Sequence, residues 1–213
     1  MRFWTECWQF YRQFREQYHT TGAIMPSGRA LARAMTRPMR KLAGPRRILE
    51  VGPGTGAVTE EIVRQLRRGD QLDLVEINGD FVAFLEQRFS EEPTFRRRRS
   101  QTRILHSPLQ DVPGEHEYDI VISGLPLNNF SLELVDELYR SYERLLKPEG
   151  TLTYFEYAWI RDLKMPFVGA EERERLTKLT HYLTAKIRRY QIDDEMVLLN
   201  VPPAVARHLR FGG

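Results

Sequence analysis

Glu50, Gly52, Gly54, Gly56 and Glu76 are the residues whose types and spacing could do chemistry. The glycines lie in Gly52-Pro53-Gly54-Thr55-Gly56, between an apolar run that ends in acid (Ile48-Leu49-Glu50-Val51) and a helix-like run from Ala57 to Leu66. A strand that feeds a glycine turn and then a helix brings backbone close to a ligand and aims the free N–H groups of the helix start at it. Glycine provides the positive φ and the missing Cβ that such an approach needs. The next apolar run, Leu72 to Val75, ends in Glu76, a carboxylate placed to accept both hydroxyls of a ribose. A nicotinamide site also wants a glycine turn and an acid about 20 residues on, so the glycines alone leave the ligand open.

These residues sit on a chain that alternates strand and helix from Gly44-Pro45 onward. Strands are predicted at 46–51, 71–76, 102–106, 118–123 and 150–157, and helices at 57–67, 79–89 and 131–146. This alternation predicts an α/β fold with a doubly wound, Rossmann-like parallel sheet and a ligand at the carboxyl ends of the strands. Met165-Pro166-Phe167 reads as a turn, Ala170 to Lys186 as a charged helix, and Ile187–Ile192 with Met196–Val201 as a terminal hairpin across Asp193-Asp194. Two regions follow: a helical arm over 1–44 and a ligand-binding domain over 45–213.

At 213 residues the chain suits one α/β core. The single Cys7 excludes a disulfide framework and a cysteine metal cage. No ligand cluster at metal spacing appears, no apolar run reaches membrane-spanning length, and the N-terminus lacks a signal-peptide pattern. The expectation is a cytoplasmic enzyme. Charge is uneven: residues 1–47 hold ten Lys/Arg against Glu6 and Glu16, while the remainder is net acidic. Within that arm Phe3, Trp4, Cys7, Trp8, Tyr11, Phe14 and Tyr18 recur at helical steps. An aromatic face flanked by arginine predicts an amphipathic helix on an anionic membrane surface, or one packed on the domain. Arg96 to Arg99 reads as a solvated loop.

Glu50-Val51-Gly52-Pro53-Gly54-Thr55-Gly56-Ala57-Val58-Thr59, followed by Glu76-Ile77-Asn78, resembles motifs I and II of class I S-adenosylmethionine (SAM) methyltransferases. Leu146-Lys147-Pro148-Glu149-Gly150-Thr151-Leu152 is similar to the leader into the fifth strand of that fold. Tyr18 to Ala32 (YHTTGAIMPSGRALA), with the glycine loop and Ser123-Gly124-Leu125-Pro126-Leu127-Asn128, resembles the bacterial phospholipid N-methyltransferase family. That family turns phosphatidylethanolamine toward phosphatidylcholine, and close relatives methylate ornithine lipids. The resemblance covers roughly residues 1–160. It implies a seven-stranded sheet, SAM as methyl donor with S-adenosylhomocysteine as product, and a reaction at the inner face of the cell membrane. The family's turn after the third strand is replaced here by His106-Ser107-Pro108.

For the cofactor the resemblance implies Ser27, Glu50, Gly52, Gly54, Thr55, Gly56, Thr59, Glu76, Ile77, Ser107, Leu109, Ser123, Gly124 and Leu125. An ammonium has no lone pair and must lose a proton before it attacks the methyl group, so the acceptor side needs alignment and proton removal. Tyr18, His19 and Glu156 are the catalytic candidates, with His19 poised near neutral pH. Arg29, Leu127, Asn128 and Tyr157 are the substrate-binding candidates, Arg29 for a lipid phosphate or carboxylate. Leu127 stands where methyltransferases of base amines carry an aromatic that stacks on the flipped base, which counts against a nucleic-acid acceptor. An RNA adenine or small-amine methyltransferase is the alternative. His106, His116, His181 and His208 read as structural.

Overall fold

The computed structural model describes residues 26–158, 169–200 and 202–212, with side chains from Gly28 onward. The elements are α1 (Pro26–Thr36), β1 (Arg47–Val51), α2 (Ala57–Gln65), β2 (Gln71–Glu76), α3 (Gly79–Glu91), α4 (Pro93–Arg96), β3 (Thr102–His106), β4 (Tyr118–Ser123), α5 (Leu132–Leu145), β5 (Leu146–Tyr157), α6 (Ala170–Tyr190), β6 (Gln191–Val197) and β7 (Ala204–Leu209). The strands form a seven-stranded sheet in the order β3-β2-β1-β4-β5-β7-β6. The first five are parallel, and β7 enters antiparallel between β5 and β6.

Parallel strands covered on both faces must be apolar throughout, and β1 and β2 are buried almost end to end. Their alternation still sorts the core into two layers. Ile48, Leu72, Ile120 and Ile122 pack with Met35, Ile62, Leu85 and Phe89 from α1, α2 and α3. Leu49, Val121 and Leu152 face the other way, against Leu138, Tyr142 and Leu183 of α5 and α6. Leu31, Ala34 and Met35 of α1 and Met39 beyond it are buried in the first layer, so the segment from 26 onward shares the domain's core.

The amino edge of the sheet is closed by ion pairs. Arg46 donates to Asp70 and to the carbonyls of Met39 and Gln65, which ties β1, β2 and the end of α2 together. Arg103 forks onto Asp73, which also accepts from the Tyr118 hydroxyl.

The terminal hairpin differs from the sequence expectation. Helix α6 runs on to Tyr190, because Leu179, Leu183 and Tyr190 continue one apolar stripe onto the second core layer. Asp193 and Asp194 therefore lie inside β6 rather than at a turn. Arg37 pairs with Asp193 (2.8 Å) and Glu195 (3.2 Å), which stabilises this acidic strand against the segment after α1. The turn begins after Val197, where the Asn200 side chain donates to the Pro202 carbonyl (2.7 Å). Among the described residues no helix is long and apolar enough to cross a membrane. Tyr18, His19 and the aromatic arm lie outside the described residues, as does the Ser27 side chain.

Candidate active site

The glycine turn leaves β1 at its carboxyl end with Gly52, Gly54 and Gly56 all at positive φ (67°, 54° and 81°). Gly52 N–H donates to the Val75 carbonyl (2.9 Å), and Gly54 N–H donates to Oε2 of Glu76 (3.1 Å). The other oxygen of Glu76 accepts from Asn78 N–H (2.9 Å), so one buried carboxylate locks the turn to the end of β2. A carboxylate has about four acceptor sites, so a ribose hydroxyl can share it. A Cβ built at Gly54 would meet no heavy atom of the described residues within 4 Å, although the residue itself is buried. Space beside a buried glycine is what a closely approaching ligand requires. Helix α2 then starts at Gly56 without a side-chain cap, which leaves its first-turn amides to a ligand.

Arg88 was not legible in the sequence as part of this site. Its guanidinium, buried under the turn, donates to the carbonyls of Thr55 (2.8 Å) and Gly56 (3.1 Å). Glu92 holds it from the far side (2.6 and 2.9 Å), and it lies 4.0 Å over the Phe95 ring. A Cβ at Gly56 would come within 2.9 Å of it. Nothing local marks an arginine on the third helix as a clamp for a turn 32 residues earlier.

Glu50 lies one residue before the end of β1, buried, accepting from the Thr59 hydroxyl (2.7 Å). Burial, reinforced by the nearby Glu76 charge, pushes its carboxyl up to about 8. A cationic ligand at the turn reverses that balance. With Glu76 and Glu156, Glu50 gives the carboxyl edge three buried carboxylates. The edge thus favours cations, and SAM is one.

The remaining cofactor candidates divide. Gly124 N–H donates to the Val51 carbonyl (2.8 Å), and a Cβ there would meet the Gly52 carbonyl oxygen at 2.6 Å, so the β4 exit rests on the glycine turn. Ser107 N–H donates to the Glu76 carbonyl (3.2 Å), which keeps it beside the acid. The Ile77 carbonyl lies 3.1 Å from Nε2 of His106. Leu109 and Leu125 are core residues, and the Ser123 hydroxyl is turned inward to Tyr142 (2.8 Å).

On the acceptor side the structure brings Leu127, Asn128, Glu156 and Tyr157 around one cavity of about 80 Å³. Leu176, Glu172 and Arg175 of α6 complete it, residues that sequence spacing did not point to. Leu127 is buried, so its side chain offers no stacking platform. Glu156 is paired with Arg207 (3.0 Å), which makes it a fixed charge in the wall. Arg29 is exposed on α1 and lines neither the turn nor the cavity. Among the described residues no group of His, Cys, Asp and Glu is arranged to hold a metal ion.

Residues 49–152 match the family model of a methyltransferase domain. The chain is 29% identical over 152 residues to an ornithine lipid N-methyltransferase of Singulisphaera acidiphila, covering 71% of this chain and 78% of that one. It is 30% identical over 121 residues to a tRNA1(Val) (adenine(37)-N6)-methyltransferase of Dyadobacter fermentans, covering 49% of this chain and about half (48%) of that relative. Among solved structures, the 1,6-didemethyltoxoflavin-N1-methyltransferase of Burkholderia thailandensis superposes with a TM-score of 0.60 at 16% identity, over 93% of this chain and 85% of that one. The fold, the glycine turn with its acids and the matched stretch agree: residues 49–152 form a methyltransferase domain, carried on a seven-stranded sheet of the class I SAM-dependent methyltransferase fold.

Proposed function

We propose that the protein transfers the methyl group of SAM to the amine of a membrane-lipid headgroup, either ornithine lipid or phosphatidylethanolamine. The observation that carries this reading is the extent of the ornithine lipid N-methyltransferase match, which runs through most of both chains, whereas the tRNA methyltransferase match spans half of its relative. SAM supplies an electrophilic methyl on a sulfonium. The chain's part is to hold that cation beside Glu50 and Glu76 and to align an amine that enters past Asn128 and Tyr157. A sulfonium at the turn is favoured by the buried Glu76 and draws the proton from the neighbouring Glu50, whose carboxyl burial pushes up to about 8.

The tRNA relative favours a second reading, base N-methylation. Against it stands Leu127 at the platform position, a buried aliphatic side chain on which no flipped base can stack. In the lipid reading the protein works at the cytoplasmic membrane surface, through the basic aromatic arm, and His19 takes the ammonium proton. Incubation with radiolabelled SAM and total lipid, total RNA or polyamines tests this. Label in lipid, with mass spectrometry locating the added methyl on a headgroup amine, is the expected result. Label in RNA alone excludes it.

A further inference from the structure

The charges around the acceptor cavity come in pairs. Glu172 forks onto Arg175, with Nε and one terminal nitrogen donating at 2.7 and 2.6 Å, and the other terminal nitrogen donates to the Phe130 carbonyl (2.6 Å). Glu156 is joined to Arg207. Among the described residues, two carboxylates and two guanidiniums leave this wall without net charge but with strong local dipoles. Such a field best complements a ligand of the same kind, an ammonium and an acid group a few bonds apart. A bare cation finds both carboxylates already engaged, and a polyanion meets two like charges. Leu127, Phe155 and Leu176 supply apolar walls for the methylenes between the two groups.

The Arg175 partners differ in permanence. Phe130 offers a main-chain carbonyl at a buried residue, so that bond fixes the guanidinium before any ligand arrives. Glu172 has a side chain 45% exposed, so its ion pair with Arg175 is screened by solvent and exchanges against a ligand anion at little cost. A pre-fixed planar fork is the side chain best suited to a carboxylate or phosphate oxygen. We propose that Arg175 receives the acid group of a zwitterionic acceptor, carboxylate or phosphate, while the neighbouring amine is the group that is methylated. This rests on the lipid-amine reading and names the headgroup class within it.

The experiment uses the full chain and three acceptors in mixed micelles: ornithine lipid, its carboxyl methyl ester, and phosphatidylethanolamine. Calorimetric SAM binding by each variant establishes that the fold is intact. Wild type should prefer ornithine lipid to the ester by about tenfold or more in kcat/KM, the scale of one charge-assisted contact. Arg175→Gln should erase that preference, mainly by raising KM for the zwitterionic lipid about tenfold, with a markedly smaller change on the ester. Arg175→Lys, which keeps the charge without the fork, should recover part of it. A loss confined to ornithine lipid identifies a carboxylate as the natural anion, and a loss confined to phosphatidylethanolamine identifies the phosphate. Equal losses on all three acceptors, or none, overturn the assignment. Wild type that methylates none of these lipids instead overturns the lipid-amine reading itself.

Discussion

The cofactor turn and the cavity proposed for the acceptor are built in different ways. Around the glycine turn the groups that shape the backbone are already engaged within the chain before a ligand arrives: Glu76 holds Gly54, Arg88 holds Thr55 and Gly56, and Thr59 holds Glu50. The parts come from β1, β2 and the two helices that follow those strands. The acceptor cavity is assembled from the β4 exit, the end of β5 and the start of α6, with the flanking Arg207 supplied by β7. A ligand common to a whole fold calls for a preorganised cradle. A variable acceptor calls for walls contributed by late elements that can change without disturbing that cradle. The two halves touch at Gly124, where no side chain fits between the β4 exit and the turn.

Substitutions that separate the halves test this contrast. The largest effect is expected from Gly54→Val. Its Cβ meets no atom of the described residues, so the cost to folding is the left-handed strain of about 1–2 kcal/mol. SAM affinity should fall about 100-fold, or roughly 3 kcal/mol, measured calorimetrically on protein shown to be folded by its melting curve. Unchanged affinity would place the cofactor elsewhere.

Next is Arg88→Met, which deprives two turn carbonyls of their donor. Stability should drop by about 2 kcal/mol and SAM affinity by about tenfold, with Arg88→Lys intermediate because an ammonium cannot reproduce the fork. If thermal stability falls while SAM affinity is kept, Arg88 supports the domain but not the turn.

Glu50 gives a pH signature. Raised to about 8 in the free protein, it is mostly neutral at pH 7, and a bound cation lowers it again. Binding of SAM therefore releases a proton, and affinity should rise from pH 6 toward 8 by at most about tenfold per unit. Above that, deprotonation of the SAM amino group, near 8, opposes the gain. Glu50→Gln should flatten the slope, and calorimetry in buffers of different ionisation heat should lose its proton term.

The smallest effect on the cofactor should come from Glu156→Gln. Freeing Arg207 costs about 1 kcal/mol of stability and lowers turnover, while SAM affinity stays within about twofold of wild type. A drop in SAM affinity as large as that of Arg88→Met would mean that the two halves are one unit.

Ile48 to Val51, the three glycines and Glu76 were legible because each signal is local: an apolar run, a turn that only glycine tolerates, an acid at a strand end. Most strand boundaries follow for the same reason. The hairpin was misplaced because Asp193-Asp194 carries the local chemistry of a turn, and distant partners, the β7 ladder and Arg37, make it a strand. Arg88 and Arg175 look like any exposed-face arginine on an amphipathic helix. By itself the sequence determined the fold class and the cofactor turn, since local backbone geometry and hydrophobic period are written in consecutive residues. Only the tertiary structure decided which charges close the site, because a guanidinium finds its carbonyl through the packing of elements dozens of residues apart.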